Sequence, residues 1–593
     1  VRRWLAAHHE PVLLALILAA GGVLRLYGLN WDGGQWLHPD ERQIYFVTLG
    51  LGWPHSLAQA LSPDSPLNPH FFAYGSLPLY LLKIIASLLA PLSPVIRDLD
   101  HLHLVGRPLA ALFDLGTVYL TYRLARTILS PARPQGKLRG DALLAAALAS
   151  VAVLSVQLAH FYTADTVLTF FVMLTLVLAA GVARGAGPRH QIALGVALGL
   201  ALATKISALP LLLVVLVAYG KRPADSREGP GNAVDLLGLT QRAPRVALSL
   251  AVAAVVLFVA QPYAFFDWQT FLADTVRESQ IAWGALDVAY TRQYAGTLPY
   301  LYSIWQTALW GLGLPLGLVA WTGMGASLIR WLRHGTWADT LLLAWAGPYF
   351  ALVGLFHARY LRYMLPLVPV LCIVAVQFLA YRAHFSSSVL RRRMLGIGYW
   401  VLAVGTLVYA VAFAGIYALP HSWISASSWI YNNVPAGSTL AVEDWDTALP
   451  LPLEMNGQAR RIEDYEVRTL TLYDEPDDAG KWATLARNLS DSDYVIVASR
   501  RAYGSVLRLP GRYPLAGRYY ELLFAGNLGF QEVSEFTRGP TWLNPRLPPL
   551  PDAAPAALRP DESFVVYDHP RTLIFWNAEH LPPEELLRRL SAG

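Results

Sequence analysis

The sequence predicts a polytopic α-helical membrane protein with about eleven spans, followed by a soluble α/β domain. Three observations carry this reading. Hydrophobic residues make up 55% of the 593 residues and charged ones only 15%, and the apolar residues gather in runs of about 20, the length a helix needs to cross a hydrocarbon core. Basic residues cluster in every second interval between those runs, as membrane orientation requires. At Pro420 the pattern changes: apolar runs shorten, charges rise and short β-rich segments begin.

In chain order the apolar segments fall near residues 11–29, 105–126, 141–159, 166–183, 191–204, 206–220, 246–262, 299–320, 338–356, 362–381 and 395–419. The first, Pro11 to Leu29, is longer than the apolar core of a signal peptide and lacks a small-residue cleavage site, so it reads as a retained span. Tyr74 to Ala90 is apolar too, but it carries Gly75, Pro78 and Lys83. Counting it as a crossing breaks the charge alternation, so a helix lying in the outer interface is expected there.

With that assignment Arg2 and Arg3, Arg123 through Arg139, Arg184 and Arg189, Lys221 through Arg245, Arg330 and Arg333, and Arg391 to Arg393 share one side. The positive-inside rule makes that side cytoplasmic. The expected protein is a multi-pass component of the plasma membrane with a cytoplasmic N-terminus. The outer side receives the loop 30–106, the segment His160–Asp165, the turn at Lys205, the loop 263–298, the link His357–Arg362 and everything after Pro420. The chain thus divides into a membrane domain, 1–419, and an extracytoplasmic domain, 420–593, whose size of about 170 residues supports one α/β core. Within the second, Thr439–Val442, Tyr494–Ala498, Phe564–Tyr567 and Thr572–Phe575 read as strands. Trp423–Asn432 and Lys481–Leu489 read as helices, and Pro545–Pro560 as a surface loop or linker.

The formal net charge of +5 does not point to nucleic acid, because the basic residues sit between spans; the partners they imply are membrane lipids. Cys372 is the single cysteine and lies in an apolar run, which leaves neither a disulfide framework nor a cysteine metal site.

The distinctive polar residues belong to the outer side. His38-Pro39-Asp40-Glu41-Arg42 opens with a proline suited to a first helical turn and carboxylates suited to its positive end, so a capped helix start explains them. The chemical alternative makes one carboxylate a general base toward an acceptor hydroxyl, with Arg42 holding an anionic group. Asp165 opens a span, where an N-cap is the competing reading. Arg107 and Lys205 add positive charge at the same depth, or snorkel to the interface. The loop 263–298 supplies Arg277 and Arg292, and His357–Tyr363 supplies Arg359 and Arg362. Carboxylates surrounded by several cations suit an anionic phosphate donor. His38, His160, Asp40, Glu41 and Asp165 have ligand chemistry, but their spacing matches no metal motif, so no tightly held metal is expected.

The order of these features resembles glycosyltransferase family 39, the C-type membrane fold of protein O-mannosyltransferases and lipid A aminoarabinose transferases. The residues carrying the resemblance are the Asp40-Glu41 pair, Tyr74-Gly75-Ser76-Leu77-Pro78-Leu79-Tyr80, Arg107 with Ala110-Ala111-Leu112-Phe113-Asp114, Asp165 leading a span, and Thr204-Lys205. They cover roughly residues 10 to 380. The resemblance implies transfer of a sugar from a polyprenyl monophosphate, on the outer face and with inversion, to a hydroxyl-bearing protein, lipid or glycan. It makes Asp40 the catalytic carboxylate with Glu41 beside it. Arg42, Tyr74, Arg107, Asp165, Lys205, Arg292 and Arg359 become donor-phosphate or cavity residues. No cofactor is obligatory in such a displacement, although some relatives use a divalent metal. The aminoarabinose transferases carry a lysine before the proline of the interfacial helix where this chain has Leu77, so other cations must hold its phosphate. The rival class is a transporter or flippase of lipid-linked sugars, whose coupling residues belong mid-membrane; Asp114 is the clearest acid inside a span.

Overall fold

The computed structural model describes residues 2–97, 101–129, 135–220, 236–384, 389–539 and 559–592. Residues 130–134 of the basic interval Arg123–Arg139, 221–235 of Lys221–Arg245 and 545–558 of the Pro-rich stretch lie outside the described residues. The chain forms two compact units. One comprises Val1–Asn30, His38–Ser279 and Pro299–Ala414, and the other Trp31–Leu37, Gln280–Leu298 and Gly415–Gly593. The division near Pro420 seen in composition therefore falls at Gly415, and two pieces of the loops 30–106 and 263–298 join the C-terminal unit.

The first unit is helical. Among the described residues, five stretches are long and apolar enough to cross a membrane: His9–Leu26, Ala164–Ala183, Ala243–Ala260, Leu361–Arg382 and Gly396–Asn433. Integral membrane proteins have this make-up. Other apolar segments form broken helices. Residues 141–159 become Gln135–Ser150 and Val153–Leu158, and 206–220 becomes a short 3-10 turn and Leu211–Tyr219. The segment 299–320 breaks at Gly313, and its long helix runs on as Leu314–His334. Burial sorts the long stretches: Leu361–Arg382 is 83% buried and central, whereas Ala243–Ala260 is 17% buried and presents its apolar surface outward. Deep inside, Arg25 pairs with Asp114 at 2.5 Å and donates to the Ser150 carbonyl at 2.7 Å, so both charges are satisfied.

Tyr74–Ala90 forms the helix Leu77–Leu89. Its 13 residues extend about 20 Å at the α-helical rise, well short of a hydrocarbon core about 30 Å thick. Leu79, Leu82 and Ala86 are buried while Ile84 and Leu88 are exposed, the two-faced character of an interfacial helix.

The second unit holds a five-stranded sheet. Its strands are β1 (Thr439–Glu443), β4 (Glu466–Leu470), β5 (Tyr494–Val497), β6 (Phe530–Phe536) and β7 (Thr572–Asn577); β2 (Leu453–Met455) and β3 (Gln458–Arg460) make a separate hairpin. The order is β4-β1-β5-β7-β6, with β1 parallel to β4 and β5, and β7 antiparallel to β5 and β6. The α/β character expected from the sequence is present. Helix Ala479–Ser490 starts where Asp478 Oδ1 accepts from the amides of Gly480 and Lys481 at 2.9 and 3.0 Å. It buries Trp482, Leu485 and Leu489 against Tyr503, Tyr513, Tyr519 and Tyr520. Those tyrosines belong to the core of this unit. One expected strand is corrected: Phe564–Tyr567 begins within helix Glu562–Val565, because Asp561 accepts from the Ser563 amide at 3.0 Å and caps a helical turn.

Candidate active site

Helix Pro39–Gly50 begins as the sequence suggests. Pro39 occupies its first turn, and the His38 ring nitrogen accepts from the Glu41 amide at 3.3 Å. Successive residues on a helix point about 100° apart, so Asp40 and Glu41 face different surroundings.

Glu41 points inward. Its Oε1 accepts from Arg107 Nε at 3.0 Å, from the Tyr45 hydroxyl at 2.8 Å and from the Tyr162 amide at 2.9 Å, and Arg107 Nη2 reaches Oε2 at 2.7 Å. Both side chains are 0% exposed. Arg107 Nη1 also donates to the Leu29 carbonyl at 2.8 Å. The pair ties helix Pro39–Gly50 to helix His103–Ile128 and to the start of the Asp165 segment. Gly106 permits the approach, since a Cβ there meets Tyr45 Oη and Tyr162 Cβ at 2.9 Å. This carboxylate and this guanidinium are buried and hydrogen-bonded to each other and to the Tyr45 hydroxyl, the Tyr162 amide and the Leu29 carbonyl.

Asp40 is 19% exposed. Tyr74 donates to its Oδ1 at 2.7 Å, and Arg362 Nη1 donates to its Oδ2. Arg362 Nε also lies 4.0 Å from Asp165 Oδ2, and Lys205 donates to Asp165 Oδ1 at 2.8 Å. Aromatic faces complete the wall: Lys205 lies 4.9 Å from the Tyr363 ring centroid, and Arg362 lies 4.7 Å from that of Tyr360. The resulting chain of Tyr74, Asp40, Arg362, Asp165 and Lys205 alternates donors and acceptors, with two carboxylates balanced by two cations. Burial pushes the Asp40 carboxyl up, but Arg362, His38, Tyr74 and Lys205 together outweigh it and hold it below the usual carboxylate range. Burial and the neighbouring Asp40 charge push the Tyr74 phenol well up, so it remains a donor.

The register between Tyr74 and Lys205 is set by backbone. The Gly75 amide donates to the Thr204 carbonyl at 3.0 Å, and a Cβ on Gly75 would lie 1.9 Å from the Ala203 oxygen. Only glycine allows that crossing, which brings the two flanking side chains to Asp40 and Asp165.

Of the remaining expected site residues, Arg42 is half-buried on the Asp40 helix, and Arg359 is 7% exposed. Arg362, three residues along from Arg359, is the cation that reaches Asp40. Arg292 belongs to the second unit, where it pairs with Asp287 at 3.0 Å and lies 3.6 Å from Glu475. Glu278 was not anticipated. Burial pushes its carboxyl up, Arg277 opposes that shift, and the field of Asp40 adds to it. Among the described residues, no three His, Cys, Asp or Glu side chains are grouped to hold a metal ion.

Residues 99–223 match the family described as dolichyl-phosphate-mannose-protein mannosyltransferase. That stretch contains Arg107, Asp165 and Lys205, and over it the resemblance to glycosyltransferase family 39 is borne out. No curated protein matches the chain. Similar solved structures include the archaeal oligosaccharyltransferase AglB from Archaeoglobus fulgidus in complex with an inhibitory peptide and a dolichol-phosphate, at 14% identity over 87% of this chain and 73% of that one, with a TM-score of 0.48. Another is ArnT from Cupriavidus metallidurans bound to undecaprenyl phosphate, at 17% identity over 73% of this chain and 82% of that one, with a TM-score of 0.40. Its apo form aligns at 16% identity over 97% and 99% of the two chains, with a TM-score of 0.44.

Proposed function

We propose that this chain is a membrane glycosyltransferase that moves a sugar from a polyprenyl monophosphate to an acceptor hydroxyl on the outer face, with Asp40 as the base. The observation that carries the proposal is the solvent-reaching Asp40 carboxylate, oriented at both oxygens by Tyr74 and Arg362 beside the Lys205–Asp165 pair. The match of residues 99–223 to a family named for a lipid-phosphate-linked sugar donor supports it.

In the proposed step the acceptor oxygen loses its proton to Asp40, forms the new bond to the anomeric carbon, and expels the lipid phosphate as that carbon's bond to the phosphate oxygen breaks. A single displacement of this kind inverts the anomeric configuration. Lys205 and Arg362 are the cations for the departing phosphate. Because they already balance Asp40 and Asp165, the donor phosphate has to compete for them, and its arrival loosens Arg362 from Asp40. That competition frees a carboxylate oxygen when the substrate is present. Arg107 and Glu41 act at one remove, holding the helix that carries Asp40. The charge alternation supports the orientation that goes with this reading, a plasma-membrane protein with a cytoplasmic N-terminus and an outer C-terminal unit. The transferase reading accounts for Asp114 as the buried structural partner of Arg25, at 2.5 Å.

The test is sugar transfer or donor hydrolysis by the purified protein across a panel of polyprenyl-phosphate sugars, run beside Asp40→Asn. The expected result is turnover with one donor class and a fall of about 10² to 10⁴ in the variant. Near-normal turnover in a folded Asp40→Asn protein would remove Asp40 from the role.

A further inference from the structure

The helix that carries Asp40 and the helix that follows Tyr74 also build a second feature. Thr48 and Leu49 from helix Pro39–Gly50, Lys83, Ala86 and Ser87 from helix Leu77–Leu89, with Ala90 and Leu102, line a cavity of about 80 Å³. That is several times the room a single water needs. Thr48 lies eight residues beyond Asp40, about 12 Å along the helix at the α-helical rise, so the cavity is separate from the acidic cluster.

Its chemistry is uneven. Thr48 is 1% exposed, and its buried hydroxyl has no hydrogen-bond partner. A buried, unmade hydrogen bond is costly, which marks the place as prepared for a group that supplies one. Lys83 is half-buried and forms no ion pair among the described residues; burial pushes its ammonium pKa down. Desolvating an ammonium without a counter-charge is also unfavourable. The remaining wall is apolar, apart from the Ser87 hydroxyl, and the same helix exposes Ile84 and Leu88.

We infer that this cavity binds the phosphate of an anionic glycerophospholipid, with Lys83 as counter-charge, the Thr48 and Ser87 hydroxyls as donors, and the acyl chains lying along the exposed Ile84 and Leu88. A cation and two hydroxyls match a phosphodiester monoanion. Apolar walls on a short two-faced helix match the lipid that carries it rather than a free anion. A lipid seated there braces helix Pro39–Gly50, which carries Asp40, against helix Leu77–Leu89, which begins three residues after Tyr74. The inference stands apart from sugar transfer and needs no turnover to be tested.

The experiment is native mass spectrometry of the full purified chain with phosphatidylglycerol, phosphatidylcholine and inorganic phosphate as separate probes. The wild type is expected to retain phosphatidylglycerol over phosphatidylcholine. Lys83→Gln should cut that retention about tenfold, the loss of one charge-assisted contact, while Lys83→Arg restores it. Thr48→Val, nearly isosteric, should lower it less, and supplies the variant if Lys83→Gln does not fold. Equal retention of the two lipids by the wild type overturns the inference without any mutant. So does undiminished phosphatidylglycerol on folded Lys83→Gln, or binding of inorganic phosphate without retention of the lipid.

Discussion

Arg107 grips both oxygens of Glu41, with Nε 3.0 Å from Oε1 and Nη2 2.7 Å from Oε2, while Asp40, the adjacent residue, keeps 19% of its side chain exposed. The adjacent carboxylates therefore have different tasks. Removing one partner of a fully buried pair strands the other charge, at a cost of about 3–5 kcal/mol. Glu41→Ala and Arg107→Ala should each lower thermal stability sharply or abolish recovery of folded protein, whereas Asp40→Asn should leave the melting temperature close to that of the wild type. A stable Glu41→Ala protein that had lost only turnover would mean that Glu41 acts in the chemistry.

Tyr74 gives a second handle on Asp40. Its hydroxyl bond at 2.7 Å favours the ionised carboxylate, so Tyr74→Phe removes a stabilising contact and raises the Asp40 pKa. The acid limb of kcat/KM should move to higher pH, and turnover near neutrality should fall by about tenfold, the worth of one hydrogen bond to a charged group. Arg362→Gln should move the same limb further in the same direction, since its charge lowers that pKa more than the Tyr74 bond does. A limb that stays where it was in both variants would detach the profile from Asp40.

Much of this was legible in the sequence, and for physical reasons. Spans announce themselves through apolar length, and the short helix Leu77–Leu89 through the charge alternation it would otherwise spoil. Pro39 and the acids after it marked a helix start. The difference between Asp40 and Glu41 was hidden, because it depends on which way each side chain turns relative to helix His103–Ile128. Arg362 was visible within His357–Tyr363, yet choosing it over Arg359 needs the geometry of the 3-10 stretch Leu361–Leu367. The only local sign was the tyrosine on either side of the Leu361-Arg362 pair. Phe564–Tyr567 misled because a short β-prone run says nothing of the Asp561 cap before it.

Gly75→Ala tests whether the crossing at Thr204 sets the site. The added methyl would meet the Ala203 oxygen at 1.9 Å, and both partners there are backbone, so no side chain can swing aside. The helix Leu77–Leu89 must shift away from Thr204, losing the 3.0 Å amide bond and displacing Tyr74 from Asp40. A loss of about 1–3 kcal/mol in stability is expected from overpacking alone, with turnover falling further than Tyr74→Phe lowers it. Wild-type stability and activity in Gly75→Ala would mean that this contact is soft.

In the second unit the titration of Glu562 contributes to stability near neutral pH, with the same sign as that of Glu443, whose carboxyl burial pushes well up. Burial pushes the Glu562 carboxyl from 4.5 to about 7, with Arg501 at 2.9 Å opposing the shift. The folded protein thus holds a proton that the unfolded chain has released between pH 4.5 and about 7, so the stabilising contribution is complete below 4.5 and is lost as the pH rises through 7. At about 1.4 kcal/mol per pKa unit the loss amounts to about 3 kcal/mol. Glu585, held down to about 2 first by Arg588 and then by Arg589, works with the opposite sign, but only below its ordinary value of 4.5. Hydrogen exchange of the β5 and β7 amides in the full chain should therefore show protection falling between pH 5 and pH 8, after correction for intrinsic exchange. Glu562→Gln should reduce that dependence, leaving a residual slope from Glu443, which burial pushes well up, and from Asp444, which burial raises to about 6. An unchanged slope in the variant would assign the pH sensitivity to another group.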